Sequence, residues 1–157
     1  MIDFSQMVTR LVVALILGAF MGWERERVGK EAGIRTASLV AGGAALFTIA
    51  SLMLPSILAT AGGDLSEILA RNGGFLAIIA NIVVGIGFLG AGLIIKNKEH
   101  VHGLTTAAFV WTAAAIGVLV GIGLIGFALV AAILISGMLF ITRKLKLDEY
   151  IHNENPN

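Results

Sequence analysis

The amino-acid sequence predicts an all-α, polytopic membrane protein built as a bundle of five transmembrane helices. Hydrophobic residues make up 57% of the 157 residues and charged residues only 13%, about half the charged share of an ordinary soluble domain. The charged residues are clustered, and the intervals between clusters are uncharged for 13, 28, 24 and 40 residues. A helix needs about 20 apolar residues to cross the hydrocarbon layer, so intervals of this kind indicate membrane spans. This composition excludes a disordered chain and a nucleic-acid-binding protein.

The first three intervals each predict one helix. The first apolar run is too short to cross alone, so its helix must begin near Phe4 and cover about 4–23. Arg10 then lies either at membrane depth or snorkelling to an interface. The second helix is predicted over 36–54, because Pro55 cannot continue a helix. The third is predicted over 74–95.

The 40-residue interval predicts two helices, because a single helix of that length would be about 60 Å long, twice what one span needs. Three glycines near its middle mark a turn, so the helices are predicted over 104–120 and 125–142. Residues 1–142 then form one transmembrane domain, and 143–157 form a short cytoplasmic tail.

Lysine and arginine are divided unevenly between the two sides that five crossings define. The segment after the first helix, the segment after the third helix and the tail together carry nine of them. The other side carries two, Arg10 and Arg71. Four crossings would give six against five, so the positive-inside rule favours five helices. It predicts an N-terminus outside and a C-terminus in the cytoplasm.

The segment between the first and second helices holds seven of the 21 charged residues within 24–36. One interpretation is a solvated loop that only supplies topology charges. The other is a functional motif at the mouth of the bundle, in which Glu24 and Arg35 form a bidentate ion pair. Thr36 is predicted to cap the second helix, and Gly33 to give the turn its backbone freedom. The residues assigned to the motif are Glu24, Arg25, Glu26, Gly33, Arg35 and Thr36.

The third helix contains a glycine-rich stretch that matches a dinucleotide-binding pattern, but no strand precedes it, so that interpretation is rejected. Close helix packing is favoured, and a broken helix with exposed carbonyls is the alternative. Asn81 lies one turn earlier, where its amide needs either a hydrogen bond to another helix or a polar cavity. This intramembrane set comprises Arg10, Asn81, Gly85, Gly87, Gly90 and Gly92.

The start of the fourth helix forms a third candidate region. Thr105 and Thr106 are predicted to cap this helix or to bond back within it, and Trp111 to anchor at the interface. His100 and His102 precede them without a cluster of carboxylates, so a solvated loop is favoured over a metal site.

Several chemistries are missing from the predicted spans. The second to fifth helices contain no Asp or Glu, which disfavours an autonomous ion pump. No nucleotide-binding, zinc-hydrolase or serine-hydrolase motif occurs, so no enzyme activity is predicted. No cofactor is predicted either; Mg²⁺ is considered only as a ligand, and its site is unassigned.

Three blocks in this order resemble the MgtC/SapB family of bacterial inner-membrane proteins. They are Leu17–Glu26 followed by Ala32–Thr36, then Gly85–Gly92, then Gly103–Ala108 with Trp111 and Ala115–Gly117. The resemblance covers the membrane domain of the family. Better-studied members continue into a C-terminal ACT-like domain, which this chain is expected to lack. They also usually read R-x-A-A-Q where this chain has Ala77–Asn81, so no role of that arginine is carried over.

The resemblance implies a multi-pass inner-membrane protein linked to magnesium limitation, stress adaptation and virulence. We therefore predict a non-enzymatic regulator that binds another membrane complex, such as the proton-translocating ATP synthase. Its other expected partners are the lipid bilayer and a second copy of itself in a dimer. The alternative is a cation transporter or channel, for Mg²⁺ above all, which would use Glu24, Arg35, Asn81 and glycine carbonyls. A polar cavity from Glu24 past Asn81, or a break at Gly85–Gly92, would favour transport.

Overall fold

A computed structural model of the protein describes residues 2–60, 74–98 and 100–145, and these ranges contain five α-helices and one short hairpin. The helices are α1 (Phe4–Arg27), α2 (Ile34–Thr60), α3 (Gly74–Leu93), α4 (Leu104–Ile122) and α5 (Ile125–Lys144). Strands β1 (Ile95–Asn97) and β2 (His100–His102) lie between α3 and α4. The predicted charge at Arg71 and the tail beyond Leu145 lie outside the described residues.

The helices have the length and composition of membrane spans. Within the described residues, α1, α2, α4 and α5 are each apolar over at least 18 residues. The 20 residues of α3 would extend about 30 Å, which also matches the hydrocarbon layer. The predicted all-α membrane bundle is therefore confirmed.

Helix α2 lies at the centre of the bundle and makes its most extensive contacts with α1 and α4. On the α1 side, a Cβ atom added to Gly18 would lie 2.5 Å from the Ala37 carbonyl oxygen. One added to Gly22, one turn later, would lie 2.6 Å from the Gly33 carbonyl oxygen. Only glycine lets the two backbones approach this closely, and the four-residue spacing keeps both glycines on one face of α1.

The α4 side of α2 has the same construction. A Cβ atom on Gly117 would lie 2.1 Å from the Ala41 carbonyl oxygen, and one on Gly121 would lie 2.6 Å from the Thr48 Cβ atom. Two glycine pairs of the form G-x-x-x-G therefore hold α1 and α4 against successive parts of α2, α1 near its start and α4 one to three turns later. The core around them consists of buried apolar side chains: Ala14, Leu17, Met21, Ala37, Ala45, Phe109, Val110, Ala113, Ile116 and Val120.

The prediction that Pro55 ends the second helix is wrong. The helix continues from Ile34 through Pro55 to Thr60. Proline has no N–H to donate to the carbonyl four residues earlier, which is that of Ser51. Membrane helices tolerate this loss because neighbouring helices and hydroxyl side chains compensate for it. In the same turn, the Ser56 hydroxyl donates a hydrogen bond of 2.7 Å to the Met53 carbonyl, although the carbonyl that Pro55 leaves free is that of Ser51.

A hairpin that the sequence analysis did not predict connects α3 to α4. Its strands are antiparallel, with Ile95 opposite His102 and Asn97 opposite His100. Helix α3 ends at Leu93, two residues earlier than predicted, where the hairpin begins. Gly103 closes the connection with a φ of +87°, and a Cβ atom there would lie 2.0 Å from the Leu93 carbonyl oxygen. Only glycine therefore fits the start of α4.

We predict that Gly117→Ala lowers the free energy of unfolding by about 1–3 kcal/mol, because the new methyl group would force α4 away from Ala41. Thermal or denaturant unfolding of the detergent-solubilised protein measures this. Gly137→Ala in α5 is the matched control, because nothing lies within 4 Å of its added Cβ atom. That control is expected to be neutral or slightly stabilising, since alanine is the better helix former. Equal effects of both changes would contradict the close approach.

Candidate functional site

The sequence motif was predicted to lie between the first two helices, but its first residues form the last turn of α1, and it is organised around a buried arginine. Arg25, in the last turn of α1, is only 3% exposed. Its Nε–H donates to the Ala32 carbonyl at 3.3 Å, and its Nη2–H donates to the Thr106 hydroxyl at 2.7 Å. One guanidinium therefore joins α1, the α1–α2 loop (residues 28–33) and the first turn of α4.

An aromatic ring completes this guanidinium site. The Arg25 Cζ atom lies 4.6 Å from the ring centre of Phe109, which is itself buried. A cation over a ring face is stabilised by the ring quadrupole, and more so where water is excluded. Within the described ranges, no carboxylate forms an ion pair with Arg25. A carbonyl, a hydroxyl and a π face therefore contact the cation directly, while Glu24 and Glu31 stabilise its charge from a greater distance.

The start of α2 is capped by a side chain from α1. The Ile34 N–H donates to Glu26 Oε2 at 2.7 Å, which gives a carboxylate acceptor to one of the free amides of the helix. The predicted cap, Thr36, is wrong because α2 already begins at Ile34. Gly33 also has a different role from the predicted one: its φ is not positive, and a Cβ atom there would collide with Glu26 at 2.6 Å. The loop residue with a left-handed backbone conformation is Gly29, whose φ is +67°.

The predicted pair between Glu24 and Arg35 is also wrong. Glu24 Oε1 instead forms an ion pair with Nη1 of Arg143 near the end of α5, while Arg35 is exposed. Both partners are partly accessible, at 21% for Glu24 and 39% for Arg143. The pair joins the last turns of α1 and α5 at the same end of the bundle as the Arg25 site. Arg27 lies beside it over the ring of Trp23, 4.3 Å from the ring centre.

Arg10 lies at the opposite end of the bundle. Its Nη1–H donates to the Gly121 carbonyl at 2.8 Å, in the last turn of α4. A cation at a helix C-terminus satisfies a free carbonyl and interacts favourably with the helix dipole. The guanidinium also lies against Gly123, where a Cβ atom would be 2.9 Å from Nη2. Arg10 therefore fixes the α4–α5 turn onto α1.

The glycines of α3 do not pack as predicted. The helix is continuous through them, so the described backbone has no break there. Added Cβ atoms on Gly85, Gly87 and Gly92 would meet nothing within 4 Å, and only Gly90 approaches a neighbour, with Ala107 Cβ at 3.6 Å. The glycines that do allow close helix approach lie in α1 and α4 instead.

Asn81 is exposed and lines an apolar groove between α2 and α3. The groove has a volume of about 450 Å³, and Asn81 supplies its only polar side chain among the described residues. Leu39, Gly43, Phe47 and Gly85 are among its other lining residues, so it does not reach Glu24. The polar cavity from Glu24 past Asn81 that would favour transport is therefore not found in the described part of the chain.

The start of α4 differs from the prediction in its hydrogen bonding. Gly103 occupies the capping position and no side chain caps the helix. Thr106 is buried and accepts the bond from Arg25, whereas Thr105 is exposed. Trp111 is 47% exposed and borders a second apolar groove, of about 270 Å³, between α3 and α4.

The two histidines lie on the exposed hairpin, in strand β2. Their alternate positions place both on one face of the strand, with Ile95 and Asn97 opposite them. No group of three metal-ligating side chains of the His, Cys, Asp or Glu type occurs in the described residues. The hairpin therefore offers no assembled metal centre in this part of the structure.

Sequence reasoning missed three participants in these contacts: Phe109, Ala32 and Arg143. Phe109 lies three residues after Thr106, so both face the same side of α4. That spacing, beside an arginine-rich loop, is a signal that could have found the ring. Nothing in the sequence indicated the pairing of Glu24 with Arg143, because it depends on how α5 packs against α1.

Comparison with known proteins places these motifs in a family. The profile of the MgtC family matches residues 11–147, which run from within α1 to the end of α5 and include the contacts described above except those of Arg10. The chain belongs to the MgtC family. It is 42% identical to Protein MgtC of Brucella abortus over 135 residues, or 86% of this chain and 50% of that protein. It is also 42% identical to Protein MgtC of Salmonella typhimurium over 128 residues, or 82% of this chain and 48% of that protein.

The chain thus spans about half the length of the MgtC proteins that it matches. No solved structure matches it significantly. The predicted family and the multi-pass membrane character are both confirmed by these similarities and by the apolar helices.

We predict that Thr106→Val destabilises the protein by about 1–3 kcal/mol, because it leaves a buried guanidinium N–H without an acceptor. The matched control is Thr105→Val, the same change at the neighbouring exposed position, which should be close to neutral. Thr106→Ser keeps the hydroxyl and should retain most of the stability. Unfolding of the detergent-solubilised variants measures all three, and a Thr105→Val loss as large as that of Thr106→Val would contradict the assignment.

A double-mutant cycle with Glu24→Gln and Arg143→Gln should give a coupling energy of up to about 1 kcal/mol, since the pair is partly exposed to solvent. The coupling should shrink as salt is raised. A parallel cycle with Arg35→Gln replacing Arg143→Gln should give no coupling. A larger coupling to Arg35 than to Arg143 would show that the ion pair is wrongly assigned.

Proposed function

We propose that this MgtC family protein is a non-enzymatic regulator that acts by binding another complex in the bacterial inner membrane. The observation that carries the proposal is the close packing of the bundle. Around α2, the glycine faces of α1 and α4 allow direct contact between backbones and small side chains, and the buried cluster of the described residues is apolar. The chain therefore offers its outward helix faces for interaction and has little with which to conduct ions.

One accessible face of this kind belongs to α5. Only Ala128 and Ala132 are buried in this helix. Its outward side chains are large and apolar, and they include Phe127, Leu134 and Ile141. A helix in lipid can exchange such a surface between lipid tails and a partner helix at little cost, because both are apolar.

Three features favour a regulator over a cation transporter. Helix α3 is continuous, so its described backbone exposes no row of unpaired carbonyls. Its two flanking grooves are lined almost wholly by apolar side chains. Glu24, the acid proposed for a transport route, is paired with Arg143 at one end of the bundle. A cation path would need oxygen ligands at successive depths, and these features supply few.

The partner that we propose is the proton-translocating ATP synthase, with a role in magnesium limitation or stress. Resemblance to the family is the ground for this choice, and membership of the family supports it. The orientation with the C-terminus in the cytoplasm rests on the distribution of lysine and arginine.

We predict no flux of Mg²⁺, Na⁺ or K⁺ above that of empty liposomes when the purified protein is reconstituted alone. The reason is the apolar lining of its grooves, and ion-sensitive dyes inside the liposomes provide the measurement. Glu24→Ala and Asn81→Ala are the variants that identify a route. If the wild-type protein conducts an ion and either variant abolishes that flux, the regulator proposal is wrong and the protein is a transporter.

The second arm tests the partner in membrane vesicles that contain ATP synthase. Added wild-type protein should reduce ATP-driven proton pumping, whereas a Gly117→Val variant with a disturbed core should not. Unchanged pumping at every ratio of protein to synthase would reject the synthase as the partner. The proton-pumping assay does not use the liposome flux measurement. Either experiment can therefore contradict its own part of the proposal without affecting the other.

A further inference from the structure

The outward face of α3 carries a polar side chain that the bundle itself leaves unpaired. Asn81 is exposed, and it forms no hydrogen bond with the described residues. It lies seven residues after Gly74, or about 10 Å along a helix of about 30 Å, and so within the hydrocarbon layer. An amide has two donors and an acceptor, and in hydrocarbon no water is present to satisfy them.

Helix geometry places Asn81 on the side of α3 that faces away from α4, at the rim of the groove shared with α2. Gly90, which approaches Ala107 of α4, comes nine residues later, or about two and a half turns. Asn81 therefore lies on the opposite side of α3 from this internal contact. Gly85, Phe88 and Gly92 follow Asn81 at spacings of four, three and four residues, so they share its face.

This α3 face (Asn81, Gly85, Phe88 and Gly92) has the shape of a helix-docking surface. Added Cβ atoms on Gly85 and Gly92 would meet nothing, so a second backbone can approach there. Phe88 is 85% exposed and projects from the same face. Beside it, the 450 Å³ groove between α2 and α3 has room for a bulky side chain of an approaching helix.

We propose that this face binds a second copy of the same chain through reciprocal hydrogen bonds between the two Asn81 amides. Copies inserted in the same orientation carry Asn81 at the same depth, and a two-fold axis along the membrane normal places the amides opposite each other. Each amide then donates to the carbonyl oxygen of the other. A different membrane protein would need its own polar group at this depth, whereas a second copy supplies one by symmetry.

Single-cysteine cross-linking of the purified protein in liposomes tests the arrangement, because the wild-type chain has no cysteine. Gly92→Cys lies on the α3 face, and Gly137→Cys in α5 is the matched control, since both positions are glycines with free space around them. Oxidation should link Gly92→Cys into dimers and leave Gly137→Cys monomeric. Equal cross-linking at both positions, or dimers only through Gly137→Cys, would overturn the proposal.

The role of the amide is tested in the Gly92→Cys background. Asn81→Leu should weaken association about tenfold, the loss expected for one interhelical hydrogen-bond site in a membrane. Asn81→Gln keeps the amide and should retain dimers, and Gly85→Ile should prevent the approach without disturbing the bundle. If Asn81→Leu leaves the dimers unaffected, the amide pairing is wrong. If cross-links in cell membranes join the α3 face only to a different protein, a second copy is not what binds there.

This self-association is independent of the proposed regulatory function. The liposomes contain no other protein, so a dimer there says nothing of the synthase. Conversely, a monomeric protein that still lowers proton pumping would reject the α3 contact and leave the regulatory proposal standing.

Discussion

Direct contact between helix backbones around α2 determines where the other groups of the structure meet. Gly18 and Gly22 bring α1 against one part of α2, and Gly117 and Gly121 bring α4 against another. Lipid tails are as apolar as leucine, so a membrane bundle gains little from hydrophobic burial and depends on contact of this kind. Because α1 and α4 are both held close to α2, the end of α1 lies within reach of the first turn of α4. The Arg25 site occupies this position.

The Arg25 site is an unusual way to hold a charge, because no carboxylate in the described residues pairs with it directly. Burial of a cation is costly unless its N–H groups are satisfied. Here a carbonyl and a hydroxyl accept hydrogen bonds, and the Phe109 ring covers the cation. Arg10 has a related role at the other end, where it binds the end of α4.

The number of helices and their approximate bounds could be predicted from sequence, because crossing a bilayer imposes a length and a polarity on each segment. Local rules failed where another element decided the outcome. Pro55 lies inside α2, since membrane helices tolerate a proline in their interior, and Thr36 is no cap because Glu26 of α1 reaches Ile34 instead. The motif residues were found, but Glu24 bonds to Arg143 and not to Arg35. Pairings between helices depend on their relative rotation, which one sequence does not specify.

The position of α3 has a consequence for how the protein is assembled during synthesis. The central helix α2 contacts α1 and α4 extensively, whereas α3 packs mainly against α4 and less extensively against α2. A chain that emerges from the ribosome in order must therefore keep α3 at the edge while α4 passes it to reach α2. The hairpin between β1 and β2 makes this reversal of direction within a few residues. The three-helix centre is completed only when α4 has been inserted, and α3 and α5 are the helices that remain at the lipid boundary.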